Sequence, residues 1–222
     1  MRQVILNFHG IGVPQGELEP GESDYWISND FFSETLMLAD QLRDQVKSSV
    51  TFDDGNLSDL LYGAKGLARY NMKATIFVLS SRIGQPGYLG PQEILELQEM
   101  GHEIGTHGAD HLDWTKLNAK GFVREFETAR TEIETLIGQR VESAAIPFGS
   151  YNGTVLKALS GQGYERVYSS DGGAWHAGHF PIPRNSLKAG MTVTEVKAML
   201  LGQESLKRRI RRRLALVKKR WL

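Results

Sequence analysis

Ala74-Thr75-Ile76-Phe77-Val78-Leu79 is a nearly unbroken apolar run. A strand of that composition fits a sheet buried on both faces, as parallel sheets covered by helices are. Similar short runs lie on either side of it: Val4–Phe8, Ser49–Phe52, Glu103–Thr106, Ser143–Ile146 and Arg166–Ser169. Between them the spacing predicts helices over roughly Asn29–Gln45, Leu57–Tyr70, Pro91–Glu99, Ala119–Ile137, Gly153–Ser160 and Thr194–Leu201. The clearest is 119–137, where Phe122, Phe126, Ala129, Ile133 and Leu136 recur every three or four residues and Gly138 ends the pattern. Pro91 opens the third helix, where its missing N–H does no harm. Strand–helix alternation at this pitch gives an α/β fold with a parallel sheet. Six or seven such units either close into a small (β/α) barrel or form an open doubly wound sheet, and periodicity leaves both open. Gly10–Ser28, rich in Gly, Pro and Glu, reads as a long loop after the first strand, and loops of that length are often functional.

The chain has 222 residues, 41% of them apolar and 23% charged, the composition of one globular domain with a sizeable core. It has no cysteine, which excludes disulfides, thiolate metal sites and a Cys nucleophile. Lys+Arg and Asp+Glu number 26 each, but the zero net charge is unevenly distributed. The last sixteen residues, Lys207–Leu222, hold nine basic and no acidic groups, so residues 1–206 carry 17 basic against 26 acidic, a net of −9. An acidic body argues against nucleic acid as the partner. The start, Met1–His9, has too few apolar residues for a signal-peptide core, and nothing approaches the roughly 20 needed to span a bilayer. A cytoplasmic protein, soluble or peripheral at the inner leaflet, is the expectation.

Three short motifs fall just beyond predicted strand ends, the edge at which parallel α/β folds build active sites. In Thr51-Phe52-Asp53-Asp54-Gly55, two adjacent carboxylates repel unless a cation neutralises one. Either one ligates a divalent metal while the other serves as base, or the pair is a solvated turn, since Asp-Gly is a common turn dipeptide. In His107-Gly108-Ala109-Asp110-His111, a helical turn starting at His107 puts both imidazoles on one face. Two imidazoles and one carboxylate leave an open position on a metal, as hydrolytic sites require. In Ala145-Ile146-Pro147-Phe148-Gly149, a strand runs into a stiff bend that either presents a backbone N–H to an oxyanion or simply ends the strand.

These motifs, in this order and on this alternation, resemble the NodB-type polysaccharide deacetylases, carbohydrate esterase family four. The resemblance covers roughly residues 1–190 and implies a distorted (β/α)7 barrel. By position it implies Asp53 as the catalytic base, Asp54, His107 and His111 as metal ligands, and the Phe148 N–H as an oxyanion donor.

There are three departures from the family pattern. Ala145 stands where the third motif has an Arg that pairs with the base; Arg184, in Phe180-Pro181-Ile182-Pro183-Arg184, is either its substitute or a surface residue after a Pro-rich turn. No late Leu-x-His motif supplies the general acid. His9, at the end of the first strand, resembles the acid of permuted members, with a core or loop histidine as the alternative; that job suits a pKa near neutrality. The fourth motif is loosely echoed by Ser169–Trp175, where Asp171 either orients the acid imidazole or sits in a turn before Gly172-Gly173. Trp114 and Trp175 either offer flat faces to a sugar or pack internally. His102 reads as structural, and His176 and His179 receive no role.

Residues 1–205 are thus expected to be the deacetylase barrel, and 206–222 a basic amphipathic helix. Leu206, Ile210, Leu214, Val217 and Trp221 form its apolar stripe. It either contacts an anionic membrane, packs on the barrel, or pairs with the acidic body of another subunit. The resemblance implies metal-dependent hydrolysis of N-acetyl groups on a saccharide. Zinc is the first expectation, with cobalt, nickel or manganese fitting the same ligands. A lipid- or nucleotide-linked substrate of bacterial surface-polysaccharide biosynthesis fits the expected location. The alternatives are a catalytically impaired barrel that binds saccharide or a partner, or an enzyme acting on O-acetyl esters or non-sugar amides.

Overall fold

The computed structural model describes residues 1–204 and, beyond them, Ile210, Leu214, Leu216, Val217 and Lys219. The six apolar runs form strands β1 (Arg2–Phe8), β2 (Val46–Phe52), β3 (Ala74–Val78), β4 (Glu103–Thr106), β5 (Ser143–Ala145) and β6 (Arg166–Ser169). They lie side by side in chain order, every neighbouring pair parallel.

One late segment decides between open sheet and barrel. Ile182–Pro183 pairs parallel with β6, and two residues later Asn185–Ser186 pairs parallel with β1. The first and last strands are therefore joined through a seventh stave, and the sheet closes into a barrel with Arg184 at its seam. Ala174–Trp175 adds a short antiparallel pairing to Val4 and Gln3.

Period-two alternation divides the strand side chains into two sets. Val4, Leu6, Phe8, Val50, Phe52, Ile76 and Val78 belong to the main core cluster between the sheet and its helices. Ile5 and Phe77, which alternate with these, join Ala145 and Tyr168 in a separate small cluster that fills the barrel. Gly105 must be glycine there, because a Cβ would lie 2.5 Å from the Phe77 ring. Above this apolar plug the inward positions turn polar, with Asn7, Thr51 and Asp53 all buried.

The covering helices are α1 (Asn29–Gln41), α2 (Lys65–Ala68), α3 (Pro91–Glu99), α4 (Ala119–Phe122), α5 (Ala129–Ile137), α6 (Gly153–Gly161) and α7 (Val193–Leu201). Ser28, Asn118, Asn152 and Thr192 cap α1, α4, α6 and α7 with side-chain oxygens that accept from backbone N–H groups. Two expected helices are not uniform. The 57–70 helix begins with a π-helical stretch, Asp59–Ala64, and the 119–137 helix is interrupted by another, Val123–Thr128. The second carries Glu125, whose buried carboxylate the wider turn brings to the His107–His111 loop. Among the described residues no helix is long and apolar enough to cross a membrane. Of the expected C-terminal helix, Leu206 and Trp221 lie outside the described residues, while the five described positions beyond 204 are helical.

Candidate active site

The Asp53-Asp54-Gly55 turn follows β2 directly, and Asp54 and Gly55 both have left-handed backbone, φ 74° and 67°. Among the described residues only three other non-glycine positions have positive φ, and two of them are His111 (53°) and Phe148 (56°). Strained backbone is thus concentrated where the three motifs meet, as at many functional sites.

Both imidazoles converge on one oxygen. His107 Nε2 and His111 Nε2 each lie 3.6 Å from Asp54 Oδ1. That oxygen is buried and accepts no hydrogen bond within the structure. One ligand atom from each of these three residues falls within 4.8 Å of the others. An orphaned carboxylate oxygen facing two imidazole nitrogens is the arrangement a divalent cation satisfies, so the donor set fits the expected metal. His107 Nδ1 lies 2.9 Å from the Ala145 carbonyl, which fixes Nδ1 as the N–H and leaves Nε2 for a ligand bond. Burial, incompletely offset by Asp53 and Asp54, lowers the His107 pKa to about 4, so its ring is neutral at pH 7.

The expected helical turn at His107 does not form; 107–111 is an irregular loop. Gly108 has φ 87°, and a Cβ there would lie 2.1 Å from Glu125 Oε2. Glu125, fully buried in the π-helical stretch, accepts from Ala109 N (3.1 Å), Asp110 N (2.9 Å) and Trp114 Nε1 (3.1 Å). A carboxylate thus takes the place of helical hydrogen bonds in shaping the loop. Trp114 is 1% exposed and packs edge-on against Phe126, which removes it as a sugar platform. Trp175 pairs with Gln3 at the start of β1, the end of the barrel opposite the motifs.

Arg184 is fully buried, and its guanidinium grips Asp53 through both carboxylate oxygens, Nη1–Oδ1 2.6 Å and Nη2–Oδ2 2.8 Å. The surface-residue reading is thereby excluded. The same Nη1 donates to Asn7 Oδ1, which also accepts from Thr51 Oγ1, while Asn7 Nδ2 donates to Asp53 Oδ2. The guanidinium carbon lies over the rings of Phe77 and Tyr168, at 5.1 and 5.7 Å, so the apolar plug supports the charged layer above it. Burial alone would raise the Asp53 pKa; Arg184, with His107 and His9, outweighs it and holds the carboxyl well below the usual carboxylate range.

His9 Nε2 lies 3.8 Å from Asp53 Oδ2, and its ring packs on Tyr25 at 4.6 Å. Its pKa is lowered, by burial first and with only partial compensation from Asp54 and Asp53. Asp171 requires a correction. It makes no contact with His9: its Oδ2 accepts from Tyr151 (2.7 Å) and Ser169 (2.6 Å), and its Oδ1 from Lys219 (2.7 Å). The Phe148 ring, 62% exposed, stacks on His111 with centroids 4.3 Å apart. His102 accepts from Ala74 N and is structural, as expected.

Three carboxylates around the site lie outside the three motifs. Glu125 is one. Glu19, in the long loop after β1, hydrogen-bonds His111 Nδ1 at 3.0 Å and pairs with Arg82. Asp59 is fully buried, and burial followed by the charges of Asp54 and Asp53 raises its pKa well above the ordinary value. The loop's length and glutamate content were the signal for Glu19; a lone acid inside a helical pattern gives none for the other two.

His9, Glu19, Asp53, Asp54, His107, His111, Phe148 and Arg184 line a cleft of about 330 Å³ at the carboxyl ends of the strands. The sequence profile of the polysaccharide deacetylase family matches residues 43–167. The chain is 27% identical over 203 residues to YxkH of Bacillus subtilis, named as a polysaccharide deacetylase, covering 85% of this chain and 72% of that one. It is 30% identical over 112 residues to the peptidoglycan-N-acetylglucosamine deacetylase PgdA of Listeria monocytogenes, covering 50% of this chain and only 23% of that relative. The Streptococcus pyogenes deacetylase PplD, solved with acetate, superposes with TM-score 0.78 at 19% identity, over 90% of this chain and 98% of that one, and so shares its fold. With the profile spanning more than half of its length, the chain belongs to the polysaccharide deacetylase family.

Proposed function

We propose that the protein is a metal-dependent hydrolase that removes acetyl groups from N-acetylated saccharides, releasing acetate and a free amine. The observation that carries this reading is the convergence of two imidazole nitrogens on the unpartnered oxygen of Asp54, beside a second carboxylate held ionised by Arg184. A divalent ion held by Asp54, His107 and His111, zinc first by its donor set, supplies Lewis acidity to the scissile carbonyl and to water.

The chain's own residues supply the proton chemistry. Asp53, ionised throughout the neutral range, takes the proton of the attacking water. The Phe148 N–H donates to the carbonyl oxygen as it gains negative charge. His9, neutral at rest, takes up a proton during turnover and delivers it to the departing amine nitrogen. Its placement 3.8 Å from the carboxylate that receives the water's proton supports this division of labour.

The presence of Arg184 on Asp53 and of His9 beside it supports a hydrolytic site over an impaired binding barrel. The test is acetate release from N-acetylated oligosaccharides with added zinc or cobalt. Wild-type protein should release acetate, while Asp54→Ala and His107→Ala should lose both bound metal and turnover. Release only from O-acetylated sugars or non-sugar amides would keep the chemistry and overturn the substrate.

A further inference from the structure

Beyond the barrel, Ile210, Leu214 and Val217 are each helical and strongly exposed, at 49%, 66% and 57%. At a helical advance of about 100° per residue, these three fall within a window of roughly 60°. Lys219 lies about 180° from the middle of that window. It points into the protein: Nζ donates to the Gly149 carbonyl and to Asp171 Oδ1, both at 2.7 Å, and sits 5.0 Å over the Tyr151 ring. Leu216, on the same side as Lys219, is half-buried. The helix is therefore fastened to the barrel by one face while its apolar face points away from it. Packing of the stripe on its own barrel, one of the three readings the sequence allowed, is excluded for these residues.

An apolar stripe turned outward needs an occupant, and charge says which. Lys207–Leu222 carries nine basic and no acidic residues. In the sequence periodicity, Lys207, Arg211 and Lys218 flank the stripe on one side and Arg209, Arg213 and Arg220 on the other. Apolar side chains bordered on both sides by cations match the boundary between acyl chains and anionic headgroups. The body, with a net of −9, is repelled by such a surface, so contact is confined to this helix. We propose that the Ile210–Leu214–Val217 face docks on an anionic lipid surface. Through Lys219 and Gly149, the docked helix abuts the wall of the catalytic cleft, since Gly149 lines it next to Phe148.

The test uses the full chain and co-sedimentation with two kinds of vesicle, phosphatidylcholine alone and phosphatidylcholine with one-quarter phosphatidylglycerol. Wild-type protein should bind the anionic vesicles only, with affinity falling as salt rises. The triple variant Ile210→Ser/Leu214→Ser/Val217→Ser should bind them at least tenfold more weakly, with an unchanged melting temperature and unchanged acetate release from a soluble oligosaccharide. Three results overturn the proposal: no binding to either vesicle, anionic binding unaffected by the triple variant, or stripe-dependent self-association without vesicle binding. Docking is read by sedimentation and hydrolysis by acetate, so failure of one leaves the other standing.

Discussion

Replacing Arg184 by Met removes one half of a buried, doubly hydrogen-bonded ion pair and leaves Asp53 without its main counter-charge. Arg184 is fully buried and Asp53 3% exposed, so water does little to compensate. Breaking such a pair costs about 3–5 kcal/mol, chiefly because a charge is stranded. For a domain of this length, about 2–4 °C of melting temperature is lost per kcal/mol, which gives a drop of about 6–20 °C at pH 7. The sign follows from Asp53's depressed folded pKa. Its stabilising contribution is present above the unfolded carboxylate value of about 3.9 and disappears as pH falls below it, so at pH 7 the full effect is exposed. Without Arg184, burial dominates and the carboxyl pKa rises, which should move the acid limb of turnover upward. The assay is thermal unfolding of chelator-treated protein, with Asp53→Asn/Arg184→Met as the control. Removing both charges should leave the double variant more stable than Arg184→Met alone. A single variant melting within about 2 °C of wild type, or a double variant below the single, would refute the claim that Arg184 acts on Asp53 as a counter-charge.

Glu19→Gln should weaken zinc binding about 10–100-fold in chelator competition, because the carboxylate that orients His111 through Nδ1 is lost. Gly108→Ala forces a Cβ against Glu125 at positive φ and should cost about 2–5 kcal/mol in denaturant unfolding, together with metal affinity. In metal-free protein, His107 has a folded pKa near 4 against 6.5 unfolded, so the unfolded chain binds more protons between those values. Unfolding free energy should therefore fall as pH drops from 7 toward 4, by up to about 3 kcal/mol from this group, with melting temperature falling in step, and His107→Gln should flatten that slope.

The sequence made the strands and the three candidate metal-binding side chains legible because each depends on local chemistry: an apolar run, then a motif at its end. Arg184 was legible only as one of two readings: the lost motif Arg left a charge to be supplied, but a surface arginine after a Pro-rich turn explained the residue as well. What stayed hidden depends on tertiary contacts. The 107–111 segment has helical spacing, but Glu125, reached through a π-helical turn, captures its backbone N–H groups and holds it as a loop. Asp171 had the right strand-end context, yet Tyr151, Ser169 and Lys219 take up its oxygens and leave none for His9. Nor does residue type reveal how far His9 is enclosed, and that burial lowers its pKa.

The third motif's missing arginine shows what the site requires. Asp53 needs a positive charge at a fixed point, and the chain position that supplies it is free. Asp53 and Arg184 are 131 residues apart, and Asn7 and Arg184 are 177 apart, yet all three meet within hydrogen-bond distance. They do so because Ile182–Pro183 and Asn185–Ser186 pair with opposite ends of the sheet and leave Arg184 at the junction. Closing the barrel and placing the counter-charge of Asp53 are therefore one structural event. An open sheet with the same residues would leave this guanidinium in solvent and Asp53 buried beside two histidines that burial keeps neutral. The seam that completes the fold is also what keeps that carboxylate ionised.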